Sequence, residues 1–103
     1  MSQRPAGEIR LTPKAEADLD SIGDYLAESQ SEDYAESYLL RLEFQLELLL
    51  SQPMMGRSAH EIQSELRRFP FQKHVVFYRP IQQGIEVIRI LHQSQDIDRA
   101  FQQ

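Results

Sequence analysis

The sequence predicts an α+β fold in which a helical hairpin packs on one face of a mainly antiparallel sheet, in the order strand, helix, helix, three strands. Three observations carry this expectation. Between Pro13 and Gln52, apolar residues recur at steps of three and four, the period of a helix face. After Glu65 the period drops to two, and β-branched and aromatic residues crowd the chain. The two regimes meet at Pro53-Met54-Met55-Gly56-Arg57, an irregular run that opens with a helix breaker.

Each element follows from local chemistry. Residues 1–7 are short and polar, without a signal-peptide core, and read as a frayed tail. Glu8 to Thr12 alternates, with Ile9 and Leu11 on one side, so it reads as a short strand. Thr12 can cap a helix, and Pro13 suits its first position because the missing N–H has no helical partner there. Ala15, Leu19, Ile22 and Leu26 then share one face. Gly23 weakens this helix slightly, a loss that a close helix contact would explain. A polar break spans Glu28 to Glu32, and Ser29 with Glu32 fits a capping box for a second helix. Ala35, Leu39, Leu42, Leu46 and Leu49 form its apolar stripe, and Pro53 ends it. Two amphipathic helices with so short a link form an antiparallel hairpin.

The second helix carries another stripe. Leu40, Phe44 and Leu48 fall four apart, roughly opposite the first set. Either the helix packs on both sides, or the second stripe is a surface that a partner covers. Downstream, Met54 to Glu65 is irregular, with a helical turn from Ala59 to Gln63. Leu66 to Phe69, Lys73 to Arg79 and Ile85 to His92 read as strands of a meander, with a turn at Gln82-Gln83-Gly84. Ser94 to Phe101 forms a tail with one amphipathic turn, Ile97 and Phe101 packing back. The sheet face away from the helices is expected to be open for binding.

Composition narrows the function. The 103 residues fit one domain, 1–103, and 41% are hydrophobic, enough for a core. There is no cysteine, so disulfides and thiolate zinc sites are excluded. No apolar run approaches the roughly 20 residues that span a bilayer, and a cytoplasmic location is expected. The net charge of −5 argues against a generic nucleic-acid binder, and no direct sequence-specific nucleic-acid contact is expected. The charge is unevenly spread. Pro13 to Gln52 holds ten acids against Lys14 and Arg41, whereas Pro53 to Gln103 holds seven bases against five acids.

Candidate chemistry is thin. His60, His74 and His92 lack metal-ligand spacing, and the four glycines form no phosphate loop, so no cofactor or metal is expected. His92, at the end of the last strand, is a candidate acid or base, with a strand-end histidine bonded to backbone as the plainer reading. Arg89 interrupts an apolar series with Ile85, Val87 and Leu91 on its side of the strand, which predicts pairing with a carboxylate such as Glu65 or Asp96. Arg67 and Arg68 point to opposite sides of their strand. Together with Arg57 in a loop and with Phe69 they make a candidate basic-aromatic patch, against the plainer reading of solvated surface charge.

Several segments carry a family resemblance. Leu11 through Leu19 with Ile22 and Tyr25-Leu26, Pro53-Met54-Met55-Gly56-Arg57, Leu66-Arg67-Arg68-Phe69-Pro70, Val75 through Arg79, and Ile85-Glu86-Val87 through Ile90-Leu91-His92 to Asp96 together resemble ParE-type toxins of the RelE/ParE toxin–antitoxin superfamily. The resemblance runs from about Ile9 to Phe101. It implies a RelE/ParE-like fold and a partner antitoxin, ParD-like or similar, that wraps and silences the toxin. It implies DNA gyrase as the target of ParE toxins, bound without chemistry. For RelE-type relatives it implies messenger RNA cut on the ribosome, which here would call on His92 with Arg57, Arg67 or Arg89 and no metal. Arg57, Arg67, Arg68 and Phe69 are the candidate target-binding residues. Leu40, Phe44 and Leu48 are the candidate antitoxin-binding residues.

Overall fold

The computed structural model describes residues 7–102, so the tail expected at residues 1–7 lies, but for Gly7, outside the described residues. The chain runs β1 (Glu8–Leu11), α1 (Pro13–Ser29), α2 (Glu32–Ser51), β2 (Arg57–Ser58), β3 (Arg67–Phe71), β4 (His74–Ile81), β5 (Gly84–His92) and α3 (Ile97–Phe101). The five strands form one sheet in the order β1-β5-β4-β3-β2. The meander β3-β4-β5 is the one the period of two predicts. Two features go beyond it: β1 pairs in parallel with β5, and the two-residue β2 adds an antiparallel edge to β3.

The helix ends obey capping chemistry. The Thr12 hydroxyl accepts from Ala15 N at 3.0 Å with Pro13 at the first helical position. The second cap departs from expectation. Ser29 is the last residue of α1, and Ser31 caps α2 by accepting from Tyr34 N at 3.0 Å. The third residue after Ser31 is tyrosine, which cannot return the bond, so a simple cap replaces the capping box.

Two apolar clusters sandwich the sheet. The main core lies under the hairpin, where Ile22, Tyr38, Leu42, Leu46 and Leu49 meet Val76, Tyr78, Ile85, Val87 and Ile90. Each fully buried Leu or Ile contributes about 1.5–3 kcal/mol. The opposite face is not open. Ala59, Leu66, Phe77 and Leu91 form a second cluster, covered by Ile62, Ile97, Ala100 and Phe101 of the loop before β3 and of α3. Ile97 and Phe101 pack back as the sequence predicts, but the contribution of Ala59 and Ile62, too few apolar residues to show a period, was hidden, and with it the closing of this face.

A β-bulge decides which residues face which cluster. Tyr78 stands opposite Val87 but Phe77 opposite Arg89, so Ile88 is the extra residue on β5. Ile85 and Val87 therefore face the helices, while Leu91 faces the second cluster. The expected set of Ile85, Val87, Arg89 and Leu91 on one side is split by this one insertion.

Arg89 also has a different partner from those expected. Its Nε and Nη2 donate to the Asp18 carboxylate of α1, both at 2.9 Å, and its Nη1 donates to Ala100 O at 3.0 Å. Asp18 also accepts from Ile90 N at 2.8 Å. β1 ends at Leu11, and beyond it β5 would be a bare edge. Thr12 N donates to Val87 O, the Thr12 hydroxyl donates to Ile88 O, and Asp18 takes the next free N–H. Side chains from the start of α1 thus continue the ladder, which puts Asp18 nearer to Arg89 than Glu65 or Asp96.

Two glycines sit where no Cβ fits. At Gly84 a Cβ would lie 1.9 Å from Glu8 O, so the parallel approach of β1 requires glycine there. At Gly56 it would lie 2.5 Å from the Tyr78 hydroxyl oxygen and 2.9 Å from Arg68 O. The Tyr78 hydroxyl accepts from Gly56 N and donates to Pro53 O, both at 2.8 Å, so a core tyrosine fixes the loop after α2. Among the described residues no helix is long and apolar enough to cross a membrane.

Two substitutions test these anchors. Asp18→Ala leaves a largely buried guanidinium and Ile90 N without their partner and is expected to cost about 3 kcal/mol in urea unfolding, with Asp18→Asn losing less. Tyr78→Phe keeps the ring but strands Gly56 N. It is expected to cost about 1–3 kcal/mol and to speed hydrogen exchange at the Gly56 amide more than at Val76.

Candidate functional site

Two surfaces and one cleft collect the candidate residues. The first surface is the outward side of α2. Leu40, Phe44 and Leu48 are 60%, 75% and 41% exposed, so α2 packs on one side only and its second stripe faces outward. Glu36, Glu43 and Glu47 flank the stripe on one side and Arg41 on the other, as the helical period dictates.

The second surface lies at the β2–β3 edge. Arg57 and Arg68 stand directly opposite each other across β2 and β3. With Met55, Phe69, Pro70 and Val75 they line a groove of ≈ 630 Å³. The Arg68 guanidinium carbon lies 5.2 Å from the centre of the Phe77 ring, which holds the side chain along the second cluster. Arg67, on the other side of β3, is spent differently. Its Nη1 donates to the carbonyls of Gly56 and Met54, so it supports the loop that carries Arg57. The expected patch of four is thus reduced to Arg57, Arg68 and Phe69 on the groove, with Arg67 behind it. Met55, Pro70 and Val75 complete the groove, and only the strand register brings them there.

The cleft lies at the other end of the sheet, between the tips of the helical hairpin and the strand ends. Tyr25, Tyr34, Tyr38, Lys73, His74 and His92 line a space of ≈ 440 Å³. The Tyr38 hydroxyl is 2.6 Å from His74 Nδ1, and the His74 and His92 rings meet edge to face at 5.3 Å. His92 Nδ1 accepts from Ser94 N at 3.1 Å and lies 2.8 Å from the Ser94 hydroxyl, which makes it a strand-end histidine held by its own turn. Burial, then the neighbouring His92, holds His74 below its usual pKa, with Asp18 opposing. Burial, then Tyr34, pushes Tyr38 up to about 12, with Arg41 opposing. At neutral pH both groups are therefore uncharged, and they share one short hydrogen bond.

The residues assembled for a nuclease reading do not converge. Arg67 aligns with Tyr78 and His92 with His74, which puts them about 13 Å apart along the strands. Arg89 is held by Asp18 and Ala100, and no arginine lines the cleft. The cleft instead gathers Tyr38 and His74, which the sequence did not single out. Counting back from the β4–β5 turn would pair His74 with Leu91, and only the bulge brings His92 opposite it. Among the described residues no group of three or more His, Asp or Glu side chains is placed to hold a metal.

Comparison with known proteins agrees with this architecture. Residues 9–97 match the family described as ParE toxin of type II toxin-antitoxin system, parDE. The chain is 37% identical over 90 residues to Toxin ParE1 of Mycobacterium tuberculosis, covering 86% of this chain and 92% of that one. It is 36% identical over 85 residues to Toxin ParE1 of Caulobacter vibrioides, covering 82% and 88%. A structure of the chromosomal ParDE TA system from P. aeruginosa superposes with a TM-score of 0.71 at 21% identity, over 84% of this chain and 96% of that one, a likeness of fold. A RelE/ParE-like arrangement of a helical hairpin on a five-stranded sheet, with a family match over nearly the whole described chain, makes this protein a member of the ParE family of type II toxin–antitoxin toxins.

Proposed function

We propose that the chain acts in the cytoplasm as one toxin domain that inhibits DNA gyrase by binding it, and that a ParD-like antitoxin silences it. Membership of the ParE family carries this reading. The arginine arrangement supports it. Arg57 and Arg68 stand exposed or half-buried beside an apolar groove, a composition suited to an interface hot spot. For the antitoxin, the support is the bare stripe of Leu40, Phe44 and Leu48 beside Glu36, Glu43 and Glu47, which complements a basic amphipathic segment.

A second reading has one observation in its favour. The cleft with Tyr38, His74 and His92 places a hydroxyl and two imidazoles together, groups that move protons in metal-independent RNA cleavage. In that reading the toxin is a ribosome-dependent messenger RNA endoribonuclease of the RelE type, and His92 serves as acid or base.

A plasmid assay separates the two. Purified toxin with gyrase and ATP is expected to yield linear DNA after detergent and protease, and added antitoxin to suppress it. His92→Ala is expected to keep this activity, while Arg57→Ala with Arg68→Ala is expected to lower it at least tenfold. Loss of toxicity in His92→Ala with messenger RNA cleavage in the parent would instead favour the RelE-type reading. Phe44→Glu is expected to weaken antitoxin binding about 100-fold, near 2.7 kcal/mol, in titration calorimetry without unfolding the toxin.

A further inference from the structure

The cross-strand pair Arg57 and Arg68 is an unusual choice for a two-residue strand. Like charges directly opposite in an antiparallel pair repel and destabilise it. Among the described residues neither arginine has a carboxylate within ion-pair distance, although Arg10, Arg79 and Arg89 each do. The groove beside them has no acidic residue in its lining, in a chain with 16 acids. Its other walls are Met55, Phe69, Pro70 and Val75, and Met54 next to it is 65% exposed. Two unneutralised guanidiniums beside an apolar floor form a surface that lacks its counterpart.

We infer that this groove receives an acidic, amphipathic peptide segment of a protein partner, with two carboxylates engaging Arg57 and Arg68 and one apolar side chain lying on Pro70 and Val75, which pair across β3 and β4 on the same face as Arg68. The spacing of the arginines sets the motif. Directly opposite residues have Cα atoms about 4.5–5.5 Å apart. Acids at i and i+3 or i+4 on a helix lie about 5–6 Å apart, and acids at i and i+2 of an extended chain about 6.7 Å apart. Either pair reaches both guanidiniums. The segment docks through side chains and does not extend the sheet. Phe71 and His74 close the two-residue β3–β4 turn, so Arg68 turns its main-chain groups toward β2, which already pairs with it, and Pro70, the next residue to face that edge, has no N–H to give. A nucleic acid fits less well, because two free cations neutralise few phosphates and an apolar floor offers the backbone nothing.

The inference deepens the target-binding reading above by naming the chemistry of the partner, and its test is separable from that reading because it uses no gyrase. The isotope-labelled full chain is titrated with a probe peptide in which glutamate alternates with leucine and phenylalanine, followed by amide chemical shifts. The expected result is a sub-millimolar affinity with shifts centred on Arg57, Arg68, Phe69 and Val75. Binding should weaken about tenfold from 50 to 500 mM salt, and at least tenfold in the R57Q/R68Q variant, whose unchanged far-ultraviolet dichroism shows that it folds. If that variant does not fold, R57Q alone, which alters an exposed side chain, is expected to weaken binding at least threefold. Absence of binding, equal binding of the same peptide with lysine for glutamate, shifts centred elsewhere, or tighter binding of single-stranded oligodeoxythymidine would each overturn the inference. Peptide binding without gyrase poisoning would leave it standing and remove gyrase as the target. Gyrase poisoning without peptide binding would do the reverse.

Discussion

The Asp18 carboxylate holds three elements of this molecule, α1, β5 and α3, in one place. It accepts from the main chain of Ile90 and from two nitrogens of Arg89, while the third nitrogen of that guanidinium reaches Ala100. One acid on the second turn of α1 thereby fixes the helix to the sheet, completes the edge of β5 beyond β1, and ties α3 across the second apolar cluster. Asp18 and Arg89 expose only 13% and 16% of their side chains. A pair this sheltered is costly to desolvate, and its hydrogen bonds to the backbone, beyond mutual attraction, make it tolerable. The bulge at Ile88 belongs to the same device. Without the extra residue, Arg89 would point under the hairpin, among the side chains of the main core.

That bulge also marks the limit of what the sequence reveals. Helices α1 and α2, the meander and the cap at Thr12 are legible because each rests on local period or local hydrogen bonding. Thr12-Pro13 starts a helix whatever surrounds it. The partner of Arg89 was not legible, because an ion pair spanning 71 positions depends on where α1 crosses the sheet. The contact of His74 with His92 was not legible either, since a register read from the β4–β5 turn is wrong by one residue past Phe77. Side-chain period in a strand is two, so one inserted residue reverses every later assignment to a face. Of the candidate patch, the opposition of Arg67 and Arg68 could be read from strand alternation, which also places Phe69 on the side of Arg67. The withdrawal of Arg67 to the Gly56 and Met54 carbonyls could not.

Electrostatics divides the surface as the chain does. The hairpin carries most of the acids, and its bare apolar stripe on α2 is flanked by three of them. Strands β2 and β3 carry Arg57 and Arg68, neither with a carboxylate beside it among the described residues. A molecule so divided offers two partners opposite signs of potential, which favours simultaneous or competing association at separate faces over one shared site. The sheet edges agree with this division. β1 is four residues long and β2 only two, and Pro70 interrupts the hydrogen-bonding edge of β3. Short and interrupted edges resist unspecific strand addition, so recognition falls to side chains.

The groove with Arg57 and Arg68 is coupled to the core through Tyr78. That residue is fully buried on the helix side of the sheet, yet its hydroxyl binds the main chain at Pro53 and Gly56. The loop it holds leads directly into β2, and Arg67 secures the same loop from the next strand. The two exposed strand residues that present Arg57 are therefore positioned by a core tyrosine and a neighbouring arginine, and contribute almost nothing to their own placement. A two-residue strand with like charges facing each other would not persist alone. Held from behind, it pays no ordering cost when a partner arrives, and the repulsion between Arg57 and Arg68 becomes attraction that an acidic partner gains in full.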